Sequence, residues 1–450
     1  MDTPTRKRIV ILGAGFAGLY AALELDRSIA RDPDVDVVLI SSQNFLLFTP
    51  MLHEVAAGSL DPSSIVVPIR QVLRRVRLIQ AEATGVDFER RTVTACYGLE
   101  QRVCTIGFDH LLIAAGSQTR FPPGLRQHAH GMKSIHDALV LRNWLIELLE
   151  RAELEDDPAV RRALLTIVVS GGGFSGVETI GAINDFLRDV ARHYPRACVE
   201  RPALVLVEAN RQLLPDFEPT LGKYTESKLA AAGVDVRLGT KVMSYDGRVL
   251  ALTGPGEVGA PSSLATRTLV WTAGVAPSPL IESLPLPKER GRIVVDGGMA
   301  VPGYVGVWAC GDCAAVPDAD GKPYPPTAQH AVQQGRRVGA NIAAAIQGDA
   351  TKIAPLRYRT IGQAAAIGRQ RAVATLFGLR FSGFGAWLFW RSSYLLMLPR
   401  LDRKLRVLLQ WLLEICFARD TVQLLTVQSV RSRRLEELLD GAQATEVIGK

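Results

Sequence analysis

I-L-G-A-G-F-A-G-L at Ile11–Leu19 and V-S-G-G-G-F-S-G-V at Val169–Val177 spell one phosphate-binding pattern twice. Each copy follows a β-branched run (Ile9–Leu12 and Ile167–Val169) and opens into a helix-like stretch. The first glycine, Gly13 or Gly171, makes the tight turn, and the second, Gly15 or Gly173, lets backbone approach a pyrophosphate. The third, Gly18 or Gly176, lets the helix pack close to its strand, so that the first N–H groups face the anion. One such pattern is weak evidence. Two, each in strand–turn–helix context, imply two dinucleotides on one chain, and the economical pair is a flavin and a nicotinamide.

The chain has 450 residues, 48% of them hydrophobic, enough for two or three domains. Its net charge of +7 could serve nucleic acid, anionic lipid or solubility. No zinc spacing, helix-turn-helix or aromatic-studded basic run supports nucleic acid. Six cysteines do not make a disulfide framework, so a reducing compartment is expected. Arg6-Lys7-Arg8 before apolar Ile9–Leu25 imitates a signal peptide, but cleavage there would destroy the first fingerprint. No run of 18 uncharged apolar residues predicts a transmembrane helix, and no residue cluster predicts a metal site.

The second strand of the first unit, Val35–Ile40, ends in Ser41-Ser42, where an acidic residue normally holds the adenosine ribose. Ser41 can still hydrogen-bond a ribose, without charge assistance. The matching strand of the second unit, Leu204–Val207, does end in acid, at Glu208. A carboxylate there accepts from a free 2′-hydroxyl and repels a 2′-phosphate, favouring NADH over NADPH, with Arg211 keeping NADPH open. Leu111–Gly116, Leu269–Gly274 and Val305–Ala309 read as further strands, and Ile135–Leu154 and Gln329–Ile346 as helices. From about Pro355 the chain has fewer acids and carries three of its six tryptophans.

These elements, with F-T-P-M-L-H-E-V-A-A-G at Phe48–Gly58, P-P-T-A-Q-H-A-V-Q-Q-G at Pro325–Gly335 and F-A-R-D-T-V-Q-L at Phe417–Leu424, resemble the type II NADH:quinone oxidoreductases, two-dinucleotide flavoproteins. The resemblance runs from about Arg8 to Gln428. It implies an α/β fold with two Rossmann-like domains, the NAD domain inserted in the FAD domain, and an amphipathic helical C-terminal module. The implied segments are an FAD part at 1–120, an NADH domain at 121–295, a second FAD part at 296–354 and a membrane-associating module at 355–450. It implies hydride transfer from NADH to FAD, then two electrons to a membrane quinone without proton pumping. It places Asp312 at the FAD ribityl–phosphate region and adds Phe16, Thr49, Gly116, Ala273 and Gly274 to the cofactor contacts. Glu178 is placed near the meeting of nicotinamide and flavin. Gln329 and Gln333, at i and i+4, can aim two amides into one quinone pocket. The family also suggests a homodimer.

Plainer readings stand beside these. Glu178 could merely cap a helix start, and the two glutamines could be helix surface. His53 and His330 are acid–base candidates with no partner identifiable from sequence, so structural roles are favoured. Cys310-Gly-Asp-Cys313 has redox spacing but straddles Asp312 and does not open a helix of the NAD unit, so structural cysteines are expected. The C-x-x-x-x-C of the disulfide reductases is absent, and a sulfide:quinone reductase reading is thin. The enzymatic alternative is an NAD(P)H reductase of a soluble electron carrier, and the non-enzymatic one a redox sensor holding NADH with little turnover.

Leu405, Leu408, Leu409, Leu412, Leu413 and Cys416 form an apolar stripe, with Arg403, Arg406, Gln410 and Glu414 on the other side. Trp387, Phe389, Trp390 and Tyr394 suit a bilayer interface, and Arg400, Arg403, Lys404 and Arg406 suit anionic headgroups. The expectation is peripheral attachment to the cytoplasmic face of the cell membrane. Deleting the chain from about Phe384 should then release the protein from anionic vesicles and, if the remaining domains stay folded, spare NADH reduction of water-soluble acceptors.

Overall fold

The computed structural model describes residues 6–254, 261–417 and 419–423. Its helices, along the chain, are α1 (Phe16–Ser28), α2 (Leu52–Ala56), α3 (Ile135–Leu154), α4 (Pro158–Leu164), α5 (Phe174–Val190), α6 (Pro219–Ala231), α7 (Pro279–Ser283), α8 (Ala328–Ile346), α9 (Phe384–Met397) and α10 (Leu401–Cys416). The chain folds as two compact units, each assembled from separated segments.

The first unit takes the chain up to Phe48, Val66–Gln118 and Val275–Ile361. Its centre is a five-stranded parallel sheet in the order Val307–Ala309, His110–Ile113, Lys7–Leu12, Val35–Ser41, Arg77–Gln80. Ile9–Leu12 and Val38–Ile40 are fully buried, as continuous apolar runs are when helices cover both faces of a parallel sheet. α1 and α8 pack closely, because a Cβ on Gly335 would overlap the Ala17 carbonyl.

The second unit takes Thr49–Ile65, Thr119–Gly274 and the chain from Gly362 onward. Its parallel sheet runs Val234–Leu238, Ala203–Glu208, Thr166–Ser170, Thr268–Trp271. The long helix expected over Ile135–Leu154 has those limits, and Ser134 starts it with a capping box to Asp137.

The observed division differs from the expected four segments. The C-terminal stretch and Thr49–Ile65 build one unit with the second parallel sheet, and the chain returns to the first unit at Val275. The C-terminal stretch also carries more than helices: an antiparallel sheet of Gly362–Gly368, Arg371–Leu376 and Leu379–Gly383 precedes α9. Alanine favours helix, yet Ala364, Ala365 and Ala366 are buried in a strand. Tertiary packing decides this: α5 approaches so closely that a Cβ on Gly181 would overlap the Ile367 carbonyl.

Candidate functional site

Both glycine turns have the geometry the pattern requires. Gly13 (φ +95°) and Gly171 (φ +115°) sit in the region open to glycine, after Lys7–Leu12 and Thr166–Ser170. Gly18 and Gly176 lie where a Cβ would overlap the Gly13 and Gly171 carbonyls. A Cβ on Gly15 or Gly173 would meet no protein atom within 4 Å, so the space over each turn is open. These two glycines are also the N-caps of α1 and α5, and no side chain caps either helix. The first N–H groups are thus presented to an anion.

In the first unit, Phe16 stacks edge-on with Phe48, ring centroids 5.8 Å apart. Gly116 turns the chain after His110–Ile113 with φ +67°. Half-buried Asp312 accepts from Ser117 Oγ at 2.6 Å, and the preceding Gly311 N–H donates to Gln334 Oε1 at 2.7 Å. Sequence reasoning passed over both supports: Gln334 lies in the quoted motif, but spacing alone cannot say which glutamine turns inward. Ser41 is half-buried and its hydroxyl accepts from Gln43 N–H at 3.3 Å. Thr49 belongs to the second unit.

On α8, Gln329 and Gln333 are half-buried one turn apart, and Tyr358 OH donates to Gln329 Oε1 at 3.5 Å. His330 finds partners the sequence did not show, with Thr327 Oγ1 2.7 Å and Thr360 Oγ1 3.3 Å from its ring nitrogens. Cys310 and Cys313 are buried thiols without a disulfide. Burial pushes both thiols up, Cys313 to about 11, so neither is a ready thiolate. Among the described residues no group of His, Cys, Asp and Glu could hold a metal ion.

In the second unit, Glu208 ends its strand buried; one carboxylate oxygen accepts from the Gly172 N–H, and the other accepts at 2.7 Å from both Asn210 N and Asn210 Nδ2. It therefore shapes the glycine turn from the strand end where the sequence placed a ribose acceptor. Ala273 and Gly274 follow Thr268–Trp271; a Cβ on Gly171 would lie 2.9 Å from the Ala273 nitrogen, so the two turns abut.

Glu178 is not a helix cap. It sits on the second turn of α5, buried, and Oε1 accepts from Trp390 Nε1 at 2.9 Å and from Ala366 N at 3.3 Å. His53 Nδ1 stands 3.7 Å from Oε2. Burial raises the Glu178 carboxyl to about 8, against the lesser pull of its two N–H donors, and lowers His53 to about 3. Near neutral pH both are uncharged, so their proximity is not an ion pair.

Trp390 was expected at a bilayer interface; instead it is 1% exposed, because its indole N–H serves Glu178. α10 has the same logic. Val407 and Trp411 face inward, Trp411 Nε1 donating to both Glu54 oxygens at 3.2 Å. Gln410 accepts from Asp61 N at 3.3 Å, and Glu414 binds Ser59, Arg391 and Arg419. The Arg391 guanidinium lies 4.4 Å from the centroids of both Trp387 and Trp411. Arg403, Gln410 and Glu414 of the polar side thus turn toward the packed side while Arg406 stays exposed, and Leu405, Leu408, Leu409, Leu412 and Leu413 are 42–59% exposed. Of the expected headgroup cations, Arg400 and Arg403 are paired with Asp402, Lys404 donates to the Leu396 carbonyl, and Arg406 is exposed. Among the described residues no helix is long and apolar enough to cross a membrane. Ala418 and Leu424 of the third motif lie outside the described residues.

Comparison with known proteins places this geometry. Residues 7–335 match the pyridine nucleotide-disulphide oxidoreductase family, and residues 361–420 the NDH2 C-terminal domain. A type II NADH:quinone oxidoreductase of Mycobacterium tuberculosis is 33% identical over 97% of this chain and 94% of its own length. The external alternative NADH-ubiquinone oxidoreductase of Yarrowia lipolytica mitochondria is 30% identical over 93% of this chain and 81% of its own. NDH2 of Plasmodium falciparum in complex with NADH shares the fold, with a TM-score of 0.86 at 21% identity over 93% of this chain and 100% of that one.

Proposed function

Since the chain belongs to the type II NADH:quinone oxidoreductases, within the pyridine nucleotide-disulphide oxidoreductase family, we propose that it oxidises NADH through bound FAD and reduces a membrane quinone without pumping protons. The observation that carries this reading is the pair of open glycine cradles, one in each unit, each at an uncapped helix start. Bound FAD would supply the redox chemistry, hydride acceptance from NADH and two-electron donation to quinone. The first cradle, with Asp312 held by Ser117 and Gly311 by Gln334, fits that cofactor: open space for phosphates, and a carboxylate acceptor for its hydroxyls. The second cradle, with Glu208 at its strand end, holds NADH. Gln329 and Gln333 offer uncharged donors to a quinone carbonyl. Glu178, buried and protonated near neutral pH, supplies a proton as the quinone is reduced.

The exposed leucine face of α10 rests on a lipid surface, where a quinone is dissolved, at the cytoplasmic face of the membrane. A reductase of a soluble carrier has no use for five leucines on one helix face, all on the solvent side. Purified protein should show flavin absorbance and oxidise NADH with quinone in detergent. Gln333→Ala and Gln329→Ala should slow the quinone half-reaction about tenfold, one hydrogen bond's worth, and leave flavin reduction by NADH within about twofold. Stopped-flow absorbance separates the halves. Equal losses would reduce the two amides to fold residues, and a long-lived reduced flavin–NAD⁺ species with little turnover would favour the redox sensor.

Glu208→Ala should cut the preference for NADH over NADPH about tenfold in kcat/KM, since it removes both the ribose acceptor and a brace of the glycine turn. A native enzyme that already prefers NADPH would refute this role.

A further inference from the structure

We propose that Trp390 is a positioning residue for the Glu178 carboxyl: its indole N–H fixes which oxygen carries the proton and turns that oxygen toward His53. The inference rests on the reading above that Glu178 supplies a proton, and it adds the device that presents it.

The geometry is asymmetric. Oε1 accepts two N–H donors, from Trp390 at 2.9 Å and from Ala366 at 3.3 Å. An oxygen with both lone pairs engaged by N–H groups is a poor seat for a proton. The proton therefore sits on Oε2, 3.7 Å from His53 Nδ1. When it leaves, the same two donors stabilise the charge left on the carboxylate. The surroundings keep this arrangement single. His53 is buried, and its ring is tilted against Trp390 with centroids 5.6 Å apart. Tyr394, on the next turn of α9, meets the indole edge-on at 5.0 Å and shares a hydrogen bond with its N–H. Burial keeps His53 neutral, so no cation competes for Glu178. The titratable groups around Glu178 are His53 and Glu54 on α2 and Tyr394 on α9. A change at Trp390 that keeps a ring leaves His53 and Glu54 in place and removes the indole's hydrogen bond to Tyr394 along with the one to Glu178.

Trp390→Phe tests this, because it removes the donor and retains an aromatic side chain. In the holoenzyme, the infrared C=O band of the protonated Glu178 carboxyl, assigned by its loss in Glu178→Gln, reports the titration directly. Losing a donor to the charged form should raise its midpoint by about one pH unit. The alkaline limb of quinone-dependent turnover should shift with it, through kcat and not through KM for NADH. If Trp390→Phe does not fold, Trp390→Leu repeats the measurement. An unmoved infrared midpoint in a folded variant overturns the role of Trp390. Should Glu178→Gln leave the turnover–pH profile unchanged, the proton reading of Glu178 fails instead, while the infrared midpoint still reports on Trp390.

Discussion

Glu178→Gln will lower quinone-dependent turnover at least about 100-fold, the usual worth of a positioned acid, and will make the protein more stable at alkaline pH. The sign follows from the raised carboxyl. Below its ordinary value of 4.5 both folded and unfolded chains hold the proton, and Glu178 has no pH-dependent effect. Between 4.5 and about 8 the unfolded chain ionises while the folded one stays neutral, so stability falls as pH rises and levels off above 8. Glutamine carries no such penalty. Its advantage should grow across that window to on the order of 2–4 kcal/mol. Denaturant unfolding at a series of pH values checks this, and parallel curves for native and variant proteins would show that Glu178 titrates normally. Activity lost while stability is gained is the expected mark of a buried acid kept for its chemistry.

Replacing Leu408, Leu409 and Leu412 together by aspartate will release the protein from vesicles containing anionic lipid, lowering partitioning at least about 100-fold. The three side chains are 42–57% exposed, so the fold should tolerate the change and NADH oxidation with a water-soluble acceptor should persist. Co-sedimentation at low and moderate salt measures the effect. Undiminished binding would mean that this stripe does not meet lipid. The deletion from Phe384 that the sequence suggested fails its own condition, that the remaining domains stay folded, if the lost bonds hold the second unit together. It would remove Trp390 and Trp411, leaving the buried carboxyls of Glu178 and Glu54 without their indole donors.

The elements with strong local signals were legible. The glycine turns, the apolar strands beside them and the helix over Ile135–Leu154 follow from backbone sterics and hydrophobic period. The antiparallel sheets were not, because Gly362–Gly368 is alanine-rich and only its packing on α5 makes it a strand. Of the candidate site, Glu178 was singled out, but its surroundings were not. His53, Ala366 and Trp390 come from segments far apart in the chain, and no local pattern announces that an indole will meet a carboxylate. α10 shows the converse. Its leucine stripe was plain, while the inward turn of Glu414 and Gln410 depended on partners at Ser59 and Asp61.

α2 is only five residues long, yet its neighbouring His53 and Glu54 approach Glu178 and Trp411 respectively. The sequence separations are large: 357 residues from Glu54 to Trp411, and 212 from Glu178 to Trp390. During synthesis, the second unit must therefore wait for almost the whole chain to leave the ribosome before these acids can be enclosed. Until then they stay hydrated and charged, and the Thr49–Ile65 segment has no α10 to dock against. Such long loops must close before their contacts repay the entropy, which slows the enclosure of these two acids.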